Sequence, residues 1–126
     1  MNTKVLMTLS AVILGIIGFT LSFIPEEFIG YLKVESNSIT ILLFQLLGSL
    51  YLGFGILNWM AKGSIIGGIY NKPIVIGNLM HFGVGAITFF KIGVGNEMIL
   101  FPTVIYTILS LAFLFVFMKS PIKEAK

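Results

Sequence analysis

Four apolar stretches, each long enough to cross a lipid bilayer, occupy most of this 126-residue chain. They run over about 5–24, 39–60, 73–90 and 98–118 when the apolar residues are followed along the sequence. A helix rises about 1.5 Å per residue, so about 20 residues are needed to cross the hydrocarbon core. Backbone amides inside lipid must be hydrogen-bonded within their own segment, and each stretch is therefore predicted to be a helix.

The composition is that of a membrane protein rather than that of a soluble domain. Apolar residues make up 57% of the chain and charged residues only 10%, whereas soluble domains carry about 25% charged residues. Cysteine is absent, which excludes disulfides, thiolate metal sites and cysteine nucleophiles. Arginine is absent as well, and this removes the bidentate clamp that commonly holds phosphate or carboxylate substrates.

We predict an all-α integral membrane protein: one domain, 1–126, folded as an antiparallel up-down bundle of four transmembrane helices. The first span is expected to be retained, because its apolar run is too long for a signal peptide and no small-x-small cleavage site follows it. Four spans place both termini on one side, and the lysine distribution favours an N-in, C-in orientation. The inner side would hold Lys4, Lys62, Lys72, Lys119, Lys123 and Lys126, and the outer side Lys33 and Lys91.

Several residues between the spans are typical of helix starts. Pro25 is followed by two glutamates, a pattern found in the first turn of a helix. The outer segment 25–38 is therefore expected to contain a short helix lying in the membrane interface, with an ordered loop as the alternative. Asn71 precedes the third span, and Asn96 is a candidate cap for the fourth.

The inner segment between the second and third spans is rich in glycine and bounded by two lysines. It lacks the glycine and lysine spacing of a phosphate-binding loop. We expect Lys62 and Lys72 to contact anionic lipid headgroups instead, since cations beside a span are attracted to such lipids.

Each span has one helical face that carries small or polar residues. Small residues let two helices approach closely, and polar groups then bond across the contact, which replaces the hydrophobic drive that is missing in lipid. The fourth span offers Thr103, Thr107 and Ser110 on such a face. The predicted packing residues are Ala11, Gly15, Gly18 and Ser22 in the first span, Gly48 and Gly53 in the second, and Gly77 and Gly85 in the third.

His81 is the only histidine and lies near the middle of the third span. One hypothesis is a proton-relay or substrate-binding group with Gln45 and Asn78 as partners, because ionisable residues inside membranes are functional by default. Thr88 and Ser49 complete this candidate polar site. The other hypothesis is a neutral, structural imidazole that is hydrogen-bonded across the bundle. The sequence favours it, because no acidic residue lies within the spans to complete a relay.

No cofactor or metal site is predicted from these residues. Haem ligation through His81 is the one alternative, and it would need a second imidazole from another copy or from a partner protein. Tyr51 and Asn58 share a different side of the second span and are candidate contacts with another protomer.

These features predict a small multi-pass protein of a bacterial inner membrane that acts by self-association or as an accessory subunit of a larger membrane complex. The alternative is a homo-oligomeric transporter or channel for protons or a small solute, with His81 near the bilayer midplane. An enzyme is not expected, because the spans carry no nucleophile–base pair and no cluster of acids or histidines. Membrane lipids are the expected partners, and nucleic-acid binding is not, because the lysines form no basic face.

Overall fold

The computed structural model describes residues 1–93 and 95–121, and in these residues it is all-helical. Four of its five helices are long and apolar enough to cross a membrane, which supports a multi-pass membrane protein. Lys123 and Lys126, two of the lysines used to predict the orientation, lie outside the described residues. The helices are α1 (Thr3–Phe23), α2 (Pro25–Tyr31), α3 (Ser38–Ala61), α4 (Lys72–Ile92) and α5 (Glu97–Met118).

The helix ends follow from the residues that stand there. Asn37 and Asn96 accept hydrogen bonds from backbone amides of α3 and α5, which satisfies donors that the first helical turn leaves unpaired. Asn71, before α4, has a left-handed backbone with φ of 50°, which asparagine tolerates better than most residues. The expected capping role of Asn96 is confirmed, and so is a helix beginning at Pro25.

Two compact units make up the described chain. Met7–Lys62 form one, and the remaining described residues form the other. In the first unit, α2 lies against α3: Ile29 is fully buried, and the rings of Phe28 and Phe44 are 6.1 Å apart.

Close backbone approach characterises the contact between α1 and α3 in this unit. A Cβ atom added at Gly18 would lie 2.6 Å from the backbone nitrogen of Leu52, and one added at Gly48 would lie 2.7 Å from that of Ser22. A Cβ atom added at Gly55 would make a tight contact, 3.1 Å from the backbone nitrogen of Gly15 in α1. Contacts along α1 occur in the reverse order along α3, so this pair runs antiparallel.

The second unit contains α4, α5 and the loop before α4. Phe82 and Phe113 are fully buried there, and their nearly parallel rings stack at 5.8 Å. Phe89 lies seven residues after Phe82 in α4, and it contacts Tyr106, which lies seven residues before Phe113 in α5. The two helices are therefore also antiparallel.

Candidate functional site

A histidine and a tyrosine meet halfway along α4 and α5. The hydroxyl oxygen of Tyr106 lies 3.2 Å from Nε2 of His81, within hydrogen-bonding distance. His81 is the tenth residue of the 21-residue α4, and Tyr106 is the tenth of the 22-residue α5. If both helices cross a bilayer, this polar pair lies near its midplane.

Aromatic rings surround the pair within the same two helices. Phe82 is 4.9 Å from the imidazole of His81 and 5.2 Å from the ring of Tyr106, edge-on to both. Phe89 meets Tyr106 edge-on from the next turns of α4, also at 5.2 Å. Edge-to-face packing is the favoured geometry for aromatic rings. Tyr106 is buried and His81 partly so, so the hydrogen bond lies in a largely apolar environment.

Gly85 creates the space that the tyrosine ring occupies. A Cβ atom at this position would lie 2.5 Å from both Cδ1 and Cε1 of Tyr106. Gly83, half a turn away, is less restricted, since its nearest neighbour is the hydroxyl of Ser110 at 3.3 Å. Gly85 is therefore a positioning residue for Tyr106, which in turn contacts His81.

The other predicted polar residues of α4 bond within their own helix. Asn78 is fully buried and donates to the carbonyl oxygen of Ile74 at 2.9 Å. Thr88 is exposed and donates to the carbonyl oxygen of Val84. Tyr106, which hydrogen-bonds to His81, is not among the partners that the sequence analysis proposed for this histidine.

Gln45 and Ser49 lie in α3, in the other unit, and both are exposed. The amide nitrogen of Gln45 is 3.5 Å from the carbonyl oxygen of Ser22, a long hydrogen bond at the end of α1. Ser49 donates to the carbonyl oxygen of Leu46 in its own helix. Gly53 lies four residues after Ser49, on the same face of α3, and a Cβ atom added there would meet nothing within 4 Å.

The structure corrects the expectation that Asn58 is a contact with another protomer. Asn58 is fully buried, and its amide donates to Oγ of Ser10 at 3.0 Å. Ser10 donates in turn to the carbonyl oxygen of Met7. A buried amide must be hydrogen-bonded, and α1 supplies the bond within the chain. Tyr51 stays a prediction.

The two lysines expected at lipid headgroups lie at helix ends. The ammonium of Lys62, just after α3, is 2.9 Å from the centre of the Trp59 ring, a cation–π contact. Lys72 is exposed as the first residue of α4.

A signal for Tyr106 was present in the sequence. It stands three residues after Thr103 and four before Ser110, a spacing that puts all three on one helical face. From the sequence Tyr106 was, like Tyr51, a candidate contact with another protomer; the structure corrects this, because Tyr106 is buried against His81 within the chain.

Within 1–93 and 95–121, no group of three or more histidine, cysteine, aspartate or glutamate residues is arranged to hold a metal ion. No protein-family model matches the chain, and neither a curated protein nor a solved structure is significantly similar to it.

Proposed function

We propose that this protein acts by assembly in the membrane, associating with a second copy of itself through the exposed face of α3. The observation that carries the proposal is a stripe of Gln45, Ser49 and Gly53 that is exposed on α3. These residues are four apart, and α3 is the least buried of the four membrane-length helices.

The chemistry of the stripe supports a protein neighbour over lipid. A glutamine side chain has hydrogen-bond donors and a hydrogen-bond acceptor. Acyl chains can form a hydrogen bond with neither. Ser49-x-x-x-Gly53 is a pair of small residues at the spacing that lets two membrane helices approach closely. Because the amide can both donate and accept, Gln45 can pair with Gln45 of a second copy across a twofold axis.

The test compares the oligomeric state of the purified protein and two variants in detergent, after cross-linking in the membrane. Gln45→Leu combined with Gly53→Ile removes the amide and blocks the close approach. An interhelical polar bond contributes about 0.6–1.7 kcal/mol, so loss of the amide bonds alone is expected to weaken dimerisation about 3- to 20-fold. Thr88→Val is the matched control, because it removes an exposed polar group from α4 and is expected to leave the dimer intact.

Two results would contradict this proposal. One is a wild-type protein that remains monomeric after cross-linking; the other is equal weakening by the α3 and α4 variants. A wild-type protein that is monomeric but purifies with a different membrane protein would favour an accessory subunit of a larger complex, with α3 as the contact to test next.

Transport of protons or a small solute by a homo-oligomer is the second candidate function. The pairing of His81 with Tyr106 halfway along their helices favours it. Burying an ionisable side chain in the middle of a membrane costs free energy, and such residues commonly lie on a proton or substrate pathway. Flux into liposomes is the measurement. His81→Ala should abolish flux, while Thr88→Val should not, and unchanged flux in His81→Ala would remove this site from consideration.

For the topology we propose an up-down bundle in a bacterial inner membrane, with both termini inside. The lysine bias supports this orientation. Because the chain has no cysteine, a single introduced cysteine is a unique label. Lys33→Cys should react with a membrane-impermeant maleimide added to intact cells, whereas Lys72→Cys should react only after lysis. The reverse pattern would overturn the orientation.

A further inference from the structure

The loop before α4 is closed by its own hydrogen bonds. Gly67 and Tyr70 exchange two backbone bonds of 3.0 and 2.9 Å, which forms a tight turn with Ile69 at its tip. The side chain of Asn71 donates to the carbonyl oxygen of Ile65 at 2.6 Å and ties the end of the loop to its beginning. Residues 65–71, here called the tip loop, therefore have a defined shape.

The tip loop lies against the last turn of α5. The amide of Gly68 donates to the carbonyl oxygen of Val116 at 3.4 Å, a group that the helix end leaves without an intrahelical partner. A Cβ atom at Gly67 would lie 2.9 Å from the carbonyl oxygen of Lys119. Glycine at both positions thus allows the loop to dock on α5, and both have positive φ.

The outer side of the tip loop is apolar and is flanked by lysines. Ile69 is 76% exposed and Ile65 55% exposed. Lys72 begins α4 and Lys119 follows α5, so the antiparallel arrangement puts both exposed lysines at the same end of the helix pair. Glu97 is the one acidic residue described in this unit, and it lies at the opposite end.

We propose that the tip loop is a docking surface for anionic phospholipid headgroups. Ile69 and Ile65 enter the boundary between headgroups and acyl chains, where lipid covers their apolar area, while Lys72 and Lys119 pair with the phosphate groups. Charge complementarity selects anionic over zwitterionic lipid, because Lys72 and Lys119 lie at this end of the helix pair and, among the described residues of this unit, no carboxylate lies there. The ammonium of Lys119 lies 4.6 Å from the centre of the Phe115 ring. Because Phe115 is in the last turn of α5, this contact keeps the positive charge at the end of the helix.

The experiment measures binding of fluorescent phosphatidylglycerol and phosphatidylcholine to the purified full chain in detergent micelles. Lys72→Gln with Lys119→Gln should weaken phosphatidylglycerol binding about 25-fold, or about fivefold for each lysine near the surface, and leave phosphatidylcholine binding nearly unchanged. Lys33→Gln with Lys91→Gln is the control, because it removes the same charge from two other exposed lysines and should have little effect.

A third variant separates the loop from the charges. Gly67→Ala keeps every lysine but brings a methyl group against the end of α5, and it should weaken phosphatidylglycerol binding although the net charge is unchanged. Helix content from circular dichroism verifies that each variant is folded. Equal losses in the two lysine pairs, or wild-type binding by Lys72→Gln with Lys119→Gln, would overturn the proposal. Wild-type binding by folded Gly67→Ala would overturn the role of the docked loop.

Discussion

The side chains of His81 and Tyr106 are hydrogen-bonded between α4 and α5, with 3.2 Å between Nε2 and the hydroxyl oxygen. The bond joins the two helices at their midpoints, where the neighbouring side chains are aromatic. One consequence is register: sliding α5 by a single turn would separate the two groups. Within lipid such a bond orients helices more than it stabilises them.

Removing the hydroxyl should have a small, measurable effect on stability. Tyr106→Phe keeps the ring contacts and loses the hydrogen bond, so the free energy of unfolding should fall by about 0.5–1.5 kcal/mol. Unfolding by sodium dodecyl sulfate, followed by circular dichroism, measures it. His81→Phe should cost little more when Tyr106 is already phenylalanine. Additive losses would mean that the two side chains are not coupled.

Gly85→Ala should destabilise the helix pair by about 1–3 kcal/mol, because the added methyl group overlaps the ring of Tyr106 and forces the ring or the helix to move. Gly83→Ala is the control in the same helix. Its methyl group would meet only a serine hydroxyl at 3.3 Å, and alanine also raises helix propensity. The same unfolding assay should separate the two variants; similar stabilities would argue against the described ring position.

Gly48→Ala should weaken the packing of α1 on α3 by a similar amount, about 1–3 kcal/mol, because the added methyl group clashes with Oγ and with the backbone nitrogen of Ser22, and the latter cannot rotate away. Gly15→Ala is its control: this glycine lies in α1, but a Cβ atom there would touch nothing within 4 Å. Thermal unfolding in detergent should show a lower midpoint for Gly48→Ala alone. A lower midpoint for both would indicate that α1 sits differently.

Removal of two buried serine hydroxyls in α1 should have different effects on stability. Oγ of Ser10 accepts from Asn58, so Ser10→Ala leaves a buried amide short of a partner and should cost about 1–3 kcal/mol. Oγ of Ser22 is buried and makes no hydrogen bond with any described residue, so Ser22→Ala should be neutral or slightly stabilising. Stability measured for both in the same detergent tests this; a larger loss for Ser22→Ala would contradict it.

The positions of the spans could be predicted from the sequence because crossing a bilayer is a local requirement. The length and apolarity of one segment decide whether it can cross. The predicted 39–60 differs from α3 by one residue at each end, and the predicted 98–118 differs from α5 by one residue at its start. The predicted 73–90 ends two residues before α4 does, because the helix continues beyond Lys91 to Ile92. Helix periodicity likewise indicated which side of α1 carries its glycines.

Only the tertiary structure decided which polar groups meet. Periodicity places His81 on a face of α4 but contains no information about the register of α5, so Tyr106 could not be chosen over Thr103 or Ser110. For the same reason periodicity could indicate Asn58 only as a candidate contact with another protomer: its bond to Ser10 depends on how α1 crosses α3. Apolarity along one helix is a property of that helix, whereas a hydrogen bond between helices depends on the position and rotation of both.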